Sequence, residues 1–295
     1  MPSDPLSLLS SAAAEVETVA ATAKTYTTPC DEGQVVWREW GSGPPLVLIH
    51  GDFGSWTHWL RNIPALAEHF RVIAPDMPGY GDSDPPPEPW SPDSMARILA
   101  DGVARIVPAP QSYCLAAFSF GGIISGHLAA VEGERVRHLL LSGAGGLALP
   151  RDETPRSLKR LSRDMSPEEA IAVHRHNLGE LMIADPGKVD DLAVYLQITN
   201  ARRARIRAGS IPDSDALVKV LPAVTARIHG IWGSRDAMSY PYIAERGGLL
   251  RRFQPDMDFR TIEGAGHWVP FEAADAVNTA IPEMFARPPR RDRGA

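Results

Sequence analysis

A chain of 295 residues, 44% hydrophobic and 22% charged, has apolar material for one large domain or two ordinary ones and is not a disordered segment. Its 30 Lys and Arg against 36 Asp and Glu give a net charge of −6, the wrong sign for a protein that coats nucleic acid with a basic face. Two cysteines, Cys30 and Cys114, exclude a disulfide scaffold or a cysteine-rich zinc module, and no apolar run nears the roughly 20 residues that span a bilayer.

In chain order, residues 1–33 read as an N-terminal helical extension. Pro5 suits a first helical turn, and Leu6, Leu9, Ala13, Val16 and Ala20 keep a helical period. The early acidic residues Asp4, Glu15 and Glu17 argue against a secretory leader, so a cytoplasmic location is expected. From residue 34, short apolar runs predict strands at 35–40, 46–49, 71–74, 113–118, 136–142, 227–232 and 259–262. Helical patterns at 59–69, 92–106, 122–132, 240–250 and 273–285 fall between them. Apolar strands alternating with helices predict an α/β fold, a mostly parallel sheet covered on both faces. The alternation breaks over 144–224, where patterns such as 167–177 and 189–208 are helical; this stretch reads as an inserted helical cap on a core of 34–143 and 225–287. Residues 288–295 read as a flexible tail.

Candidate chemistry gathers at strand ends. The strand at 113–118 runs into Ala117-Phe118-Ser119-Phe120-Gly121-Gly122 and then a helix, the setting of a nucleophile elbow, in which a sharp turn lifts a serine above the sheet and small neighbours are required. A serine needs a base, and the base needs an orienting acid. Gly264-Ala265-Gly266-His267 follows one late strand, and Gly233-Ser234-Arg235-Asp236 ends the strand before it. The nucleophile, acid, base order Ser119, Asp236, His267 is that of one hydrolase architecture and differs from the two familiar protease orders. His50-Gly51-Asp52-Phe53-Gly54, after the strand at 46–49, offers oxyanion donors from Asp52 or Phe53, joined by the N–H of Phe120. Asp52 either turns its carboxylate away and lends only its backbone, or binds a substrate hydroxyl or cation.

These marks, with Ala74-Pro75-Asp76-Met77-Pro78-Gly79-Tyr80-Gly81-Asp82-Ser83, resemble the α/β-hydrolase superfamily from Gln34 to Phe285. The resemblance implies the α/β-hydrolase fold, with Ser119 as nucleophile, His267 as base and then acid, Asp236 as its orienting carboxylate, and 144–224 as a cap over the site. Ala117 stands where glycine is usual. Phe70 to Met77 and Gly266-His267-Trp268 look most like the meta-cleavage-product hydrolases, which cut C–C bonds in vinylogous diketones. Those enzymes generally carry an asparagine before the elbow serine and a glycine pair in the oxyanion loop, near the places of Phe118 and Asp52-Phe53 here.

The expected activity is hydrolysis of a small carboxylic ester through an acyl-enzyme, such as a monoester of an aromatic or dicarboxylic acid. The alternatives are C–C hydrolysis and a ligand receptor that binds more than it turns over. Trp268 and Phe118 are expected to line the substrate pocket, with Phe53 and Phe120 adding to an aromatic wall. The cap arginines Arg202, Arg203, Arg205 and Arg207 read as a solvated face, or as a fork for a substrate carboxylate. No cofactor or metal is expected: His174 and His176 lack a third ligand. The expected partner is a small molecule, with no nucleic acid and no membrane, on a monomer or homodimer.

Overall fold

The computed structural model describes residues 4–151 and 155–289. One eight-stranded sheet runs in the order β1-β2-β4-β3-β5-β6-β7-β8. Its strands are β1 (Lys24–Cys30), β2 (Gly33–Trp40), β3 (Pro45–Ile49), β4 (Arg71–Pro75), β5 (Tyr113–Phe118), β6 (Val136–Ser142), β7 (Arg227–Gly233) and β8 (Asp258–Ile262). β2 pairs antiparallel with both β1 and β4, and from β4 to β8 every pairing is parallel. The helices are α1 (Ser10–Ala20), α2 (Ile63–Leu66), α3 (Pro92–Ile106), α4 (Phe120–Glu132), α5 (Pro167–Leu181), α6 (Asp191–Arg203), α7 (Ala216–Val220), α8 (Ile243–Phe253), α9 (Val269–Glu272) and α10 (Ala274–Phe285).

The parallel strands read as continuous apolar runs because both faces are covered. Their side chains alternate between two cores. Val47, Ile49, Leu115, Ala117, Leu139 and Leu141 join Leu99 and Val103 of α3 and Ile124 and Leu128 of α4. Leu46, Leu48, Ala116, Phe118 and Leu140 join Leu66 of α2 and Val277 and Ile281 of α10. This is the α/β-hydrolase fold, with the carboxyl ends of the parallel strands gathered at one edge.

Several elements differ from the sequence-based expectation. The N-terminal 33 residues are not helical throughout, since β1 occupies Lys24–Cys30. Its inward positions Thr28 and Cys30 alternate with exposed ones, and Thr28 accepts a hydrogen bond from the Trp37 indole at 2.8 Å, so a polar residue hides the period of two. Pro29 is tolerated because β1 is an edge strand. The helix expected at 59–69 is only a 3-10 turn followed by α2, because Pro64 fits a first helical turn and nothing beyond it. Pro241 delays α8 to Ile243, whereas the helix expected at 273–285 is present as α10, with the short α9 preceding it. The tail beyond Pro289 lies outside the described residues.

The stretch from Ala74 to Ser83 is knitted by Asp76. Its carboxylate accepts from the N–H of Trp56 and Asp82, each at 2.9 Å, and pairs with Arg38 at 3.1 Å. Gly81, at φ +52°, lies so close that a Cβ would meet the Asp76 carboxyl carbon at 2.4 Å. Between β6 and β7 the strand–helix alternation is interrupted by α5 to α7, within the stretch whose sequence reads as helical, and α1 packs on α6. Asp4 pairs with Arg202 at 3.0 Å, and the Trp40 indole donates to the Val19 carbonyl at 2.9 Å.

His138 and His229, on adjacent strands, are buried with Nδ1 of one 3.1 Å from Nε2 of the other, both against the ring of Phe285. Burial, with Arg137 and Arg227 nearby, lowers His138 to about 4, and burial with the neighbouring His138 lowers His229 to about 3. The unfolded chain protonates both near pH 6.5 while the native state does not, so stability is lost as pH falls from about 6.5 toward about 4. The urea midpoint is expected to be lower at pH 5 than at pH 7, and the gap to narrow in His138→Asn; a midpoint independent of pH over this range contradicts the pair's neutrality.

Candidate active site

β5 is buried along its whole length between β3 and β6, and the turn after it begins at Ser119 with φ +53° and ψ −119°. The turn is held by the Ser119 N–H donating to the Ser142 carbonyl at 2.8 Å. Crowding explains the two glycines that follow. A Cβ on Gly121 would stand 2.2 Å from the His50 carbonyl oxygen, and one on Gly122 would stand 2.6 Å from Cβ of Ala144. Ala117 is fully buried and fits without a glycine.

The structure brings Ser119, His267 and Asp236 together from the ends of β5, β8 and β7. His267 Nε2 lies 3.0 Å from Ser119 Oγ, and its Nδ1 lies 2.9 Å from Asp236 Oδ1. Asp236 is fully buried; Oδ1 also accepts from the Met238 N–H at 2.8 Å, and Oδ2 has no hydrogen-bond partner among the described residues. The His267 loop is fixed by the buried carboxylate of Glu272, which accepts from the N–H of Gly266 at 2.6 Å, Ala184 at 3.1 Å and Asp185 at 2.8 Å. The N–H of Trp268 donates to the Met182 carbonyl at 2.7 Å, so the base is tied to the end of α5. Such an arrangement can move a proton from Ser119 to His267 and hold the resulting imidazolium against Asp236.

The turn after β3 departs in part from expectation. His50 is neutral and structural, with burial lowering its pKa: Nδ1 donates to the Gly51 carbonyl at 2.8 Å, and Nε2 accepts from the Met77 N–H at 2.8 Å. The Asp52 carboxylate is directed at protein groups. Oδ1 accepts from the Tyr80 hydroxyl at 2.6 Å and from the Phe53 N–H at 3.0 Å. Burial, then the Asp52 charge, raises the Tyr80 pKa and keeps it a donor. Phe53, at φ +49°, therefore has its N–H engaged and is not a free oxyanion donor. The N–H groups of Asp52 and of Phe120, the first residue of α4, meet no acceptor among the described residues.

Ser119 and His267 open on a cavity of about 660 Å³ lined also by Asp52, Phe53, Phe118 and the 143–151 segment. Phe118 lies 5.1 Å from the His267 ring and lines this cavity. Trp268 does not. Its ring is buried behind the base, 4.3 Å from Phe271 and 4.9 Å from His58, because its backbone turns toward α9 as the loop closes. The Phe120 ring likewise points into the core near Trp90. The arginines of the 202–207 run do not line the cavity. Arg202 pairs with Asp4, Arg203 with Asp82 at 2.7 Å, Arg205 donates to the carbonyls of Gly81 and Ser83, and Arg207 lies over the Phe53 ring at 5.8 Å. Sequence reasoning missed Tyr80, Gly143 and Arg246. Gly143, at φ +55°, passes so near that a Cβ would stand 3.2 Å from the His267 ring; its glycine run after β6 was the available signal. Among the described residues no cluster of His, Cys, Asp and Glu could hold a metal ion.

The alpha/beta hydrolase family profile matches residues 46–280, and the chain belongs to that family. It is 39% identical over 267 residues to a 2-hydroxymuconate semialdehyde hydrolase of a Pseudomonas species (strain CF600), covering 83% of this chain and 88% of that one. It is 29% identical to the dihydrolipoyllysine-residue acetyltransferase component of an acetoin cleaving system from Pseudomonas putida over 82% of this chain, but spans only 64% of that longer protein. Naproxen esterase from Bacillus subtilis shares its fold, with a TM-score of 0.74 over 97% of this chain and 99% of that one at 19% identity. The protein is thus an α/β-hydrolase enzyme.

The crowding at the elbow has a measurable consequence. Gly121→Ala must push the turn from the His50 carbonyl, which is backbone and cannot rotate away, at a cost of about 1–3 kcal/mol. A misplaced serine is expected to react with a fluorophosphonate about a hundredfold more slowly. Thermal unfolding and labelling rates check both; a variant as stable and as reactive as the parent contradicts the packing argument.

Proposed function

We propose that the protein is a serine hydrolase that cleaves a small carboxylic ester through an acyl-enzyme. The observation that carries this reading is the hydrogen-bonded line from Ser119 Oγ through His267 to the buried Asp236 carboxylate. Ser119 Oγ attacks the ester carbonyl as its proton passes to His267 Nε2. The N–H groups of Asp52 and Phe120 receive the oxyanion, a donor pair of the kind worth about 3–4 kcal/mol per donor. Collapse of the tetrahedral species breaks the C–O bond, and His267 returns the proton to the leaving alcohol. A water, deprotonated by His267, then attacks the acyl carbonyl; the acid leaves and Ser119 regains its proton. None of these steps calls on a metal or a cofactor.

In this reading residues 144–224 form a cap over the cavity, and the partner is a small molecule instead of a nucleic acid or a membrane. No helix among the described residues is long and apolar enough to cross a membrane. Cys30 and Cys114 are buried and unpaired, which suits a cytoplasmic enzyme.

A second reading, hydrolysis of a C–C bond in a vinylogous diketone, is favoured by the 39% identity to the 2-hydroxymuconate semialdehyde hydrolase. Against it stands Phe118, an apolar ring on the cavity beside His267.

Stopped-flow hydrolysis of a p-nitrophenyl acyl ester is expected to show a burst of alcohol, and Ser119→Ala to lose at least about a thousandfold in kcat. Absence of both the burst and Ser119 labelling by a fluorophosphonate overturns the acyl-enzyme. Decay of a dienol chromophore faster than ester cleavage selects the C–C reading.

A further inference from the structure

Arg246, on α8, lines the cavity that holds Ser119 and His267, yet it is only 5% exposed. Its guanidinium is solvated by backbone dipoles alone. Nη1 donates to the Tyr242 carbonyl at 2.7 Å, and Nη2 to those of Pro150 at 3.0 Å and Met238 at 3.4 Å. It makes no ion pair among the described residues. The other charged groups of the lining are already engaged: Arg151 pairs with Asp213 at 2.8 Å, and Asp52 is held by Tyr80 and its own turn; Asp236, buried and outside the lining, serves His267. A guanidinium stays protonated in a protein, and a buried, unpaired charge is costly. The cavity wall therefore includes a desolvated positive charge with donor capacity to spare, in the same cavity as the candidate nucleophile.

We propose that Arg246 anchors a carboxylate of the substrate, so that the protein hydrolyses small esters carrying a free carboxylate. This rests on the acyl-enzyme reading above. A cavity of about 660 Å³ has room for a small ester of this kind. A guanidinium matches a carboxylate in shape as well as charge, and burial strengthens the bond. Burial also lowers the Arg246 pKa, with the Asp236 charge acting in the opposite direction, so a counter-charge to Asp236 is the rival role.

The test compares esters of equal acyl length in the intact chain: mono-p-nitrophenyl glutarate, with the carboxylate on the acid side, 4-carboxyphenyl pentanoate, with it on the alcohol side, and neutral p-nitrophenyl and phenyl pentanoates. At least one carboxylate-bearing ester is expected to exceed its neutral counterpart in kcat/KM by about ten- to hundredfold, the worth of one hydrogen bond to a charged group. Arg246→Gln is expected to erase that ratio and Arg246→Lys to keep part of it. Glutarate is expected to inhibit the unmodified enzyme competitively and its diamide not to, a readout that needs no folded variant. Equal kcat/KM for charged and neutral esters, without inhibition by glutarate, overturns the proposal. So does an Arg246→Gln variant that slows both ester types alike while shifting the pH profile, which assigns the arginine to Asp236. A burst with the neutral ester in any of these cases leaves the acyl-enzyme standing; its absence with every ester sinks that reading itself.

Discussion

Ser119 is held in a left-handed conformation that costs a residue with a Cβ on the order of 1–3 kcal/mol, and the neighbouring structure exists to enforce it. β5 is clamped between β3 and β6, so the strand cannot lengthen to relax the turn. The Ser119 N–H is fixed on the end of β6, Gly121 abuts the carbonyl of His50 at the end of β3, and Gly122 abuts Ala144 just past β6. Ser119, the turn after β3 and the start of the 144–224 segment are therefore one packed unit. A change at one of them is transmitted to the others through backbone contacts, which cannot yield by changing a rotamer.

The base is secured differently, by hydrogen bonds and not by crowding alone. Glu272 gathers the N–H groups of Gly266, Ala184 and Asp185, and Trp268 reaches the Met182 carbonyl, so the loop bearing His267 and the α5–α6 connection share one anchor. On the other side, Asp4 and α1 hold α6. The segment between β6 and β7 is thus fastened to both the catalytic loop and the N-terminus. Any movement that admits substrate has to spare the Glu272 contacts, or it displaces His267 as well.

Much of this was legible in the sequence where one local pattern determines the outcome. The buried parallel strands declare themselves by unbroken apolar runs, and Ser119, Asp236 and His267 by their positions at strand ends. Legibility ended where the decisive partner is distant in the chain. β1 was missed because the residue facing inward at Thr28 is polar, and only its bond to Trp37 makes it a core position. Trp268 was read as lining because it adjoins the base, yet a turn of backbone sends its ring to Phe271 and His58. The arginines of 202–207 read as a solvated face or as a substrate fork, and the sequence could not show that Asp4, Asp82 and the carbonyls of the 79–83 turn, all far off in sequence, take most of them. Arg246 gave no sign at all, since on α8 it reads as one more charged helical position.

The order of the sheet gives these charges a direction. Asp52 follows β3 and Arg246 lies on α8 after β7, with β5 and β6 between those strands in the sheet, and both residues line the cavity with Ser119. The Tyr80 and Phe53 bonds engage the Asp52 carboxylate, while the Asp52 N–H meets no acceptor among the described residues. In the proposed reading an anionic substituent on a substrate is repelled by Asp52 and drawn to Arg246, and in a low-dielectric cavity both effects act in the same sense. In the proposed reading such a substrate keeps its carbonyl near the backbone donors and its charge near Arg246. The same field gives a neutral ester no preferred end. Orientation in this reading is thus a joint property of two charged side chains on one cavity wall, and neither alone would supply it.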